Sequence, residues 1–283
     1  IETLSFYIKS LAAKLCEKHE VTIVAYASTA EKIPGVKLIT ISKRQPLLMR
    51  FLRYLFALLE TSKHADIIYV QNSVTAGLPA IIVKFFRKIP VILNFAENEA
   101  WKRATQLQFT SQSPENFLKK PKSSSKIRFI IFLQKFVSNH ASQITVSSDA
   151  SAKLLSSVYH VPSTHIKINY NPPENQQILP FKTNPVQHQI IAIGRLVEWA
   201  HIPEIIYTVN SLKQKFPDIK LLIAGEGPQE NKLKQIVTDL NLSKYIIFLG
   251  RISKAENWYL RKISHTHIHL YDSIHENFPD TII

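Results

Sequence analysis

The stretch KLLIAGEGPQENKLKQIVTDLNLSKYIIFLG, residues 220–250, decides the fold of this chain. It opens and closes on apolar runs, and between them a glycine turn leads into apolar residues that recur at helical spacing. Both runs are continuously apolar instead of alternating with polar residues, which is typical of parallel strands covered by helices on both faces. The stretch therefore predicts a strand, a helix and a second strand parallel to the first.

The same alternation continues on both sides of this unit. The predicted strands are residues 21–26, 36–41, 66–70, 90–95, 143–148, 165–169, 189–194, 220–225, 245–250 and 267–271. The predicted helices are residues 6–15, 46–60, 74–86, 123–141, 149–159, 202–216, 229–240 and 255–263. Strands that alternate with helices in this way indicate an α/β protein.

One proline-rich stretch, YNPPENQQILPFKTNPVQ at residues 170–187, interrupts this alternation. Four prolines among polar residues are typical of a link between domains. We therefore predict two Rossmann-like, doubly wound parallel-sheet domains that face a cleft, residues 1–172 and residues 173–283.

The positive charge of the chain lies almost wholly in the first domain. Residues 1–172 carry 23 Lys and Arg against 10 Asp and Glu, whereas residues 173–283 carry 12 against 11. Such an excess suits nucleic acid, an anionic membrane surface or phosphorylated substrates. No nucleic-acid-binding signature or aromatic stacking platform accompanies it, so nucleic acid is the least favoured partner. The single cysteine, Cys16, argues against a disulfide framework.

Glycines and charged residues cluster where strands of the second domain end. Ligands of such folds bind beyond the carboxyl ends of the strands, where free backbone amides attract anions. The residues concerned are Gly194 with Arg195, Gly225-Glu226-Gly227-Pro228, and Glu276 followed by Asn277, Phe278 and Pro279. Read singly, the glycine turn is more often plain structure than a site, and Arg195 could form a surface ion pair.

Taken together, the motifs resemble the retaining GT-B glycosyltransferases of family 4. The segments that carry the resemblance are residues 1–26, AGLPAIIVKFFRKIPVILNFAENEAWKRA (76–104), IKINYNPPE (166–174), GRLVEWAHIPEII (194–206), LLIAGEGP (221–228), IIFLGRIS (246–253) and ENFPDTII (276–283). The family pattern places a second Glu eight positions after Glu276, just beyond Ile283. The resemblance therefore implies a chain truncated at both ends, with both domains incomplete and this piece inactive by itself.

The resemblance also implies roles for individual residues. The first domain would hold the acceptor and the second the nucleotide-sugar donor, and a hexose would be transferred without a metal or other cofactor. Arg195 and Glu276 are the implied catalytic residues. The implied donor-binding residues are Gly194, Arg195, Gly225, Glu226, Gly227, Arg251, Glu276, Asn277, Phe278 and Pro279. The implied acceptor-side residues are Glu97, Asn98, Glu99, Trp101 and Arg103, for which a solvated loop with one anchoring Trp is an equal alternative.

Two departures from the family pattern leave a second hypothesis open. The family usually has Lys-Gly where this chain has Ala200 and His201, and a subgroup has Gly-Asp where it has Glu97 and Asn98. Losing a cation beside a leaving diphosphate costs a few kcal/mol of transition-state stabilisation. The alternative is a catalytically impaired homologue that binds a nucleotide-sugar or a partner without turnover. The donor, UDP- or GDP-linked, stays open.

The acceptor and the location rest on the charge of the first domain. A lipid-linked or saccharide acceptor of cell-envelope or polysaccharide synthesis is the preferred hypothesis, with a cytoplasmic protein that is peripheral at the inner face of the membrane. Residues 46–60 are apolar almost all round, which fits a helix lying in an anionic membrane surface or a buried helix with Arg50 and Arg53 reaching outward. His265, His267 and His269 recur with period two, but metal binding is the less favoured interpretation.

Overall fold

A computed structural model describes residues 6–27, 32–107, 109–110, 112–121, 123–170 and 184–270. Contacts between residues divide the chain into two compact units, Ile1–Tyr170 (unit 1) and Asn171–Ile283 (unit 2). Among the described residues, no helix is long and apolar enough to cross a membrane.

Unit 1 contains two parallel sheets. Its strands are β1 (Val21–Tyr26), β2 (Val36–Ile41), β3 (Ile68–Val70), β4 (Val91–Asn94), β5 (Gln143–Val146) and β6 (Ile166–Ile168). β1 pairs with β2, and the other four lie in the order β3-β4-β5-β6. Its helices are α1 (Phe6–Leu15), α2 (Leu47–Thr61), α3 (Gly77–Arg87), α4 (Glu99–Gln106), α5 (Pro114–Lys119), α6 (Ser125–His140) and α7 (Asp149–Ser157). Among the described residues, buried apolar side chains between Ile41 and Val161 form a hydrophobic core that packs the helices and strands of this part of unit 1 together.

Unit 2 contains one parallel sheet in the order β10-β7-β8-β9. Its strands are β7 (Val186–Ile193), β8 (Lys220–Ala224), β9 (Ile246–Gly250) and β10 (Ser264–Ile268), and its helices are α8 (Ile202–Leu212), α9 (Glu230–Asp239) and α10 (Lys254–Ile263).

Both faces of this sheet are covered, as its apolar strands predict. Leu221 and Ile223 of β8 belong to one core cluster with residues of α8 and α9. Leu222 and Ala224, which alternate with them, belong to a second cluster against which Leu260 of α10 packs. A strand with apolar residues on both faces therefore needs no polar alternation.

The predicted α/β class with parallel sheets is confirmed, but several bounds differ, among them the start of β7 at Val186, three residues before its predicted start. The last strand begins at Ser264, three residues before its predicted start, because α10 passes into it with no intervening loop. The prediction also omitted α4 and α5. α4 has the polar sequence EAWKRATQ, in which only Ala100, Trp101 and Ala104 are buried, so its apolar periodicity is weak.

Candidate functional site

Three glycines stand side by side at the carboxyl edge of the unit 2 sheet. Gly194, Gly225 and Gly250 lie at the ends of the neighbouring strands β7, β8 and β9, with φ angles of 155°, 141° and 64°. The amide of Gly194 donates to the carbonyl oxygen of Ala224 at 3.0 Å, and the amide of Gly225 donates to that of Gly250 at 2.7 Å. The three strand ends are thus joined through backbone groups at positions that carry no side chain.

The loops after β7 and β8 pack backbone against backbone. A Cβ on Gly225 would lie 1.8 Å from the carbonyl oxygen of Gly194, and a Cβ on Gly227 would lie 2.3 Å from that of Leu196. The amide of Leu196 donates to the carbonyl oxygen of Glu226 at 3.0 Å, and that of Gln229 donates to the carbonyl oxygen of Leu196 at 3.1 Å. Gly225 and Gly227 therefore have a structural reason to be glycine, beside any contact with a ligand.

Charged side chains border this glycine edge. Arg195, Glu226 and Arg251 each come directly after one of the three glycines, and all three are exposed. Two guanidinium groups at one edge of a sheet suit an anionic ligand such as a diphosphate. Glu276, Asn277, Phe278 and Pro279 lie outside the described residues.

The first departure from the family pattern, Ala200 and His201, lies at the start of α8. The methyl group of Ala200 is in the core, with 1% of its surface exposed. His201 precedes α8 with a φ of 49°, and its Nδ1 lies 3.3 Å from Oε1 of Glu204. A glycine adopts this left-handed conformation at lower cost than histidine.

The predicted acceptor-side residues surround the start of α4. The Asn98 side chain caps this helix by accepting from the amide of Trp101 at 2.9 Å, and its Nδ2 donates to the buried hydroxyl of Tyr159 at 2.9 Å. The Trp101 indole is buried and donates to the carbonyl oxygen of Gln112 at 2.9 Å. These contacts give Asn98 and Trp101 roles in holding α4, in agreement with the anchoring Trp of the alternative interpretation but on a helix instead of a loop.

The charged members of this group differ in exposure. Glu97 is exposed and pairs with Lys102, whose Nζ is 2.7 Å from each carboxylate oxygen. Arg103 is exposed as well. Glu99 is partly buried, and its Oε1 accepts from the amide of Val74 at 3.1 Å. Burial raises the pKa of Glu99 above its ordinary value, although the hydrogen bond from Val74 opposes that rise.

Two residues that the sequence reasoning missed stand beside Glu99 or close to it. Asn72 follows β3, and its Oδ1 accepts from the amide of Thr75 at 2.7 Å and from the Thr75 hydroxyl at 2.8 Å. Tyr26, at the end of β1, donates from its hydroxyl to the carbonyl oxygen of Thr75 at 3.4 Å, and Arg50 lies 5.3 Å above its ring. The sequence signal was Asn-Ser-Val-Thr directly after an apolar strand, which is typical of an Asx turn. The carboxyl edge of unit 1 thus brings Glu99 and this turn together.

The histidines of β10 do not share one environment. His265 is exposed, whereas His267 is partly buried and its Nε2 has no hydrogen-bond partner among the described residues. Desolvation, together with the nearby charges of Arg261 and His269, lowers the pKa of His267 to about 4. The rings of His267 and His269 are 6.3 Å apart. No group of three His, Cys, Asp or Glu suited to a metal ion is found within the part of the chain that the structure describes.

Both halves of the chain are similar in sequence to known glycosyltransferases. The family description "Glycosyl transferase 4-like domain" matches residues 3–172, and "Glycosyl transferases group 1" matches residues 174–283. An uncharacterized glycosyltransferase of Methanocaldococcus jannaschii is 25% identical over 205 residues, which are 69% of this chain and 49% of that protein. The chain therefore spans about half the length of this relative.

Solved structures share the fold at low identity. HepE of Anabaena, crystallised in complex with UDP and glucose, is 17% identical with a TM-score of 0.61, and the match covers 93% of this chain and 69% of HepE. The lipopolysaccharide outer core galactosyltransferase WaaB in its apo form is 13% identical with a TM-score of 0.63, over 97% of this chain and 71% of WaaB. A glycosyltransferase from Rickettsia africae ESF-5 is 15% identical with a TM-score of 0.58, over 93% of this chain and 67% of that protein.

WaaB and the Rickettsia africae protein are named as glycosyltransferases. The family match in unit 1 extends over more than half of the sequence. Because this match spans residues 3–172, the chain belongs to the glycosyl transferase 4-like family, and its second half, residues 174–283, matches the description of the glycosyl transferases group 1.

Proposed function

We propose that the protein transfers a sugar from a nucleotide-sugar donor to a lipid-linked or saccharide acceptor, with retention of the anomeric configuration. The observation that carries the proposal is the carboxyl edge of the unit 2 sheet, where Gly194, Gly225 and Gly250 end neighbouring strands and exposed Arg195 and Arg251 follow the first and the last of these glycines. The edge lies in the region that matches group 1 glycosyltransferases. Two proteins of similar fold lend support, since HepE was crystallised with UDP and glucose and WaaB is a galactosyltransferase.

In this proposal Arg195 neutralises the charge that grows on the leaving diphosphate. A fixed cation in a site shielded from water is worth several kcal/mol of transition-state stabilisation, which replaces what a metal ion supplies in other enzymes. Glu276 orients the donor sugar, and the backbone N–H groups of Asn277 and Phe278, before Pro279, bind phosphate oxygens. The leaving phosphate oxygen takes the proton of the acceptor hydroxyl, so no strong protein base is required.

The acceptor binds at the carboxyl edge of unit 1 in the same proposal. Glu99 is the best placed of the predicted residues, because its carboxylate is partly buried beside the Asn72 turn. Exposed Arg103, one helical turn later, is available to an anionic acceptor. Activity on a lipid-linked acceptor would place the protein at the cytoplasmic face of a membrane.

The test is donor binding measured by calorimetry with UDP-glucose, UDP-galactose, UDP-N-acetylglucosamine and GDP-mannose. One of these donors should bind, and Arg195→Ala should weaken that binding at least tenfold. The matched control is Lys232→Ala, which removes an exposed cation of α9 in the same unit and should leave the affinity within twofold. Equal affinities in wild type and Arg195→Ala would refute the proposed role of Arg195.

A second candidate is a homologue that binds the donor without turnover. It is favoured by Ala200, which carries no charge, and by His201, which is engaged with Glu204. The double variant Ala200→Lys with His201→Gly restores the family pattern. If it raises donor hydrolysis or transfer at least tenfold, the missing cation limits the wild type. An unchanged rate above background would favour the active enzyme as it stands.

A further inference from the structure

The outward side of α2 is as apolar as its buried side. Tyr54 and Leu58 face the core with 5% and 8% of their surfaces exposed. Leu48, Leu52 and Phe56 follow at four-residue intervals on the opposite side and are 70%, 38% and 66% exposed. A surface helix normally turns polar residues toward water. Among the residues that the structure describes, nothing therefore covers this outward face of α2.

A row of aromatic rings extends along α6 and onto α3. The centroids of Phe129 and Phe132 are 6.5 Å apart, and those of Phe132 and Phe136 are 6.5 Å apart. The row continues through His140, 4.2 Å from Phe136, to Phe85 of α3, 5.6 Å further on. Phe129, Phe132 and Phe85 are each at least 60% exposed. Rings exposed to this extent gain little from folding.

The three helices lie side by side. α3 packs against both α2 and α6. A guanidinium nitrogen of Arg87 in α3 donates to the carbonyl oxygen of Leu59 in α2 at 3.5 Å, and Nζ of Lys84 in α3 donates to that of His140 at 2.6 Å. We call the exposed apolar side chains of this layer the outer helical surface: Leu48, Leu52, Phe56, Phe86, Phe129 and Phe132.

The charge around this surface is almost entirely positive. Residues 42–63 contain five Lys and Arg, residues 77–88 contain three and residues 124–140 contain three, which makes eleven against the single carboxylate Glu60. Glu60 itself pairs with Lys63. The partner that fits must therefore offer negative charge and a region that accepts apolar side chains.

We propose that the outer helical surface binds an anionic lipid bilayer, with its apolar side chains in the headgroup and upper acyl region and its cations on lipid phosphates. An in-plane amphipathic layer of this kind needs no membrane-spanning helix. Docking of a second copy through the same surface would bring eleven cations against eleven, which repel. Nucleic acid would satisfy the cations but would leave the exposed Leu and Phe side chains in water.

The proposal concerns unit 1 alone and does not rest on the proposed transferase function. Vesicle flotation is measured without a sugar donor, so failure of either proposal leaves the other standing. The probe is a phosphatidylcholine vesicle with or without 30% phosphatidylglycerol. Wild type should float with the anionic vesicles and remain unbound with phosphatidylcholine alone.

Two pairs of substitutions separate the apolar and the charged contributions. Leu48→Ser with Leu52→Ser, and Phe129→Ser with Phe132→Ser, should each reduce partitioning at least tenfold. Arg44→Gln with Arg53→Gln removes one exposed cation just before α2 and one within it. Partitioning onto anionic vesicles should fall about fivefold for each cation removed. Because these side chains are exposed, melting temperatures should stay close to that of wild type.

Matched controls come from unit 2. Tyr207→Ser with Tyr259→Ser removes two half-exposed rings, and Lys232→Gln with Lys244→Gln removes two exposed cations. Both control variants should bind anionic vesicles within twofold of wild type. The proposal is overturned if wild type does not bind these vesicles, or if unit 1 and unit 2 substitutions have equal effects. It is equally overturned if sedimentation shows a dimer that the unit 1 substitutions dissociate.

Discussion

The carbonyl oxygen of Gly194 occupies the space that a side chain on Gly225 would need, 1.8 Å from the position of its Cβ. The two residues end neighbouring strands of unit 2, and the loops that follow them are hydrogen-bonded to each other. Glycine at position 225 is thus required by a neighbouring backbone, which cannot rotate away as a side chain could.

Gly225→Ala should therefore strongly destabilise unit 2. The substitution adds a backbone clash to a φ of 141°, and we expect a loss of about 3 kcal/mol or more in the free energy of unfolding. Gly250→Ala is the matched control, because it also has a positive φ but has nothing within 4 Å of the added Cβ. It should cost only ~1 kcal/mol, from the left-handed backbone. Urea unfolding of both variants measures the difference, and equal losses would contradict the role of the close contact.

Asn98→Ala should destabilise unit 1 by more than the loss of a helix cap. The cap itself is worth ~1 kcal/mol. The substitution also leaves the buried Tyr159 hydroxyl without its partner, at a further cost of about 1–3 kcal/mol. Ser253→Ala, which removes the exposed cap of α10, gives the cost of a cap alone. If thermal unfolding shows the same loss for both, the buried hydrogen bond contributes nothing.

Glu99→Gln should change how stability depends on pH. The folded pKa of Glu99 is raised, so the folded state binds its proton more tightly than the unfolded state does. The stability contributed by protonated Glu99 is complete below the unfolded pKa and is lost as the pH rises through the folded pKa. The Gln variant lacks this loss, so its stability relative to wild type should increase as the pH rises above the unfolded pKa. Denaturant unfolding of the two proteins at a series of pH values measures the difference, and parallel profiles would contradict the raised pKa of Glu99.

His267 should make the protein less stable in mild acid. Its folded pKa is lowered to about 4, whereas the unfolded side chain titrates near 6.5, so only the unfolded state takes up a proton between these values. Stability from this residue is complete above pH 6.5 and decreases as the pH falls toward 4. His267→Gln should flatten the pH profile in this window. A profile for His267→Gln that parallels wild type would contradict burial as the cause.

Much of the fold could be predicted because its apolar runs are unambiguous. Residues 221–224 of β8 (LLIA) send alternate side chains into two cores, so each of these four positions is apolar, and this pattern indicates a parallel sheet. α4 could not be predicted in the same way. Its stability comes from the Asn98 cap and from contacts with distant residues such as Gln134, whose Oε1 accepts from the amide of Ala100. Such contacts join parts of the chain that sequence periodicity does not relate.

The candidate site was less accessible to sequence reasoning than the fold. The order of Gly194, Gly225 and Arg251 predicted that they lie at one edge of the sheet, because strand ends in a parallel sheet meet at one side, and β7, β8 and β9 are indeed neighbours. The packing of Gly225 against the Gly194 backbone could not be predicted. A glycine turn that contacts a ligand and one that contacts another loop have the same sequence pattern. Asn72 and Tyr26 were missed because their partners are backbone groups far away in the sequence.

The interlocked loops after β7 and β8 also constrain how unit 2 can respond to a bound molecule. Each loop fills the space beside the other, and two hydrogen bonds through Leu196 connect them. An outward movement of one loop would break its hydrogen bonds and packing contacts with the other. We therefore expect the two loops to form a single rigid platform. Any adjustment to the size of a ligand must then come from flexible side chains on this platform, such as those of Arg195 and Glu226.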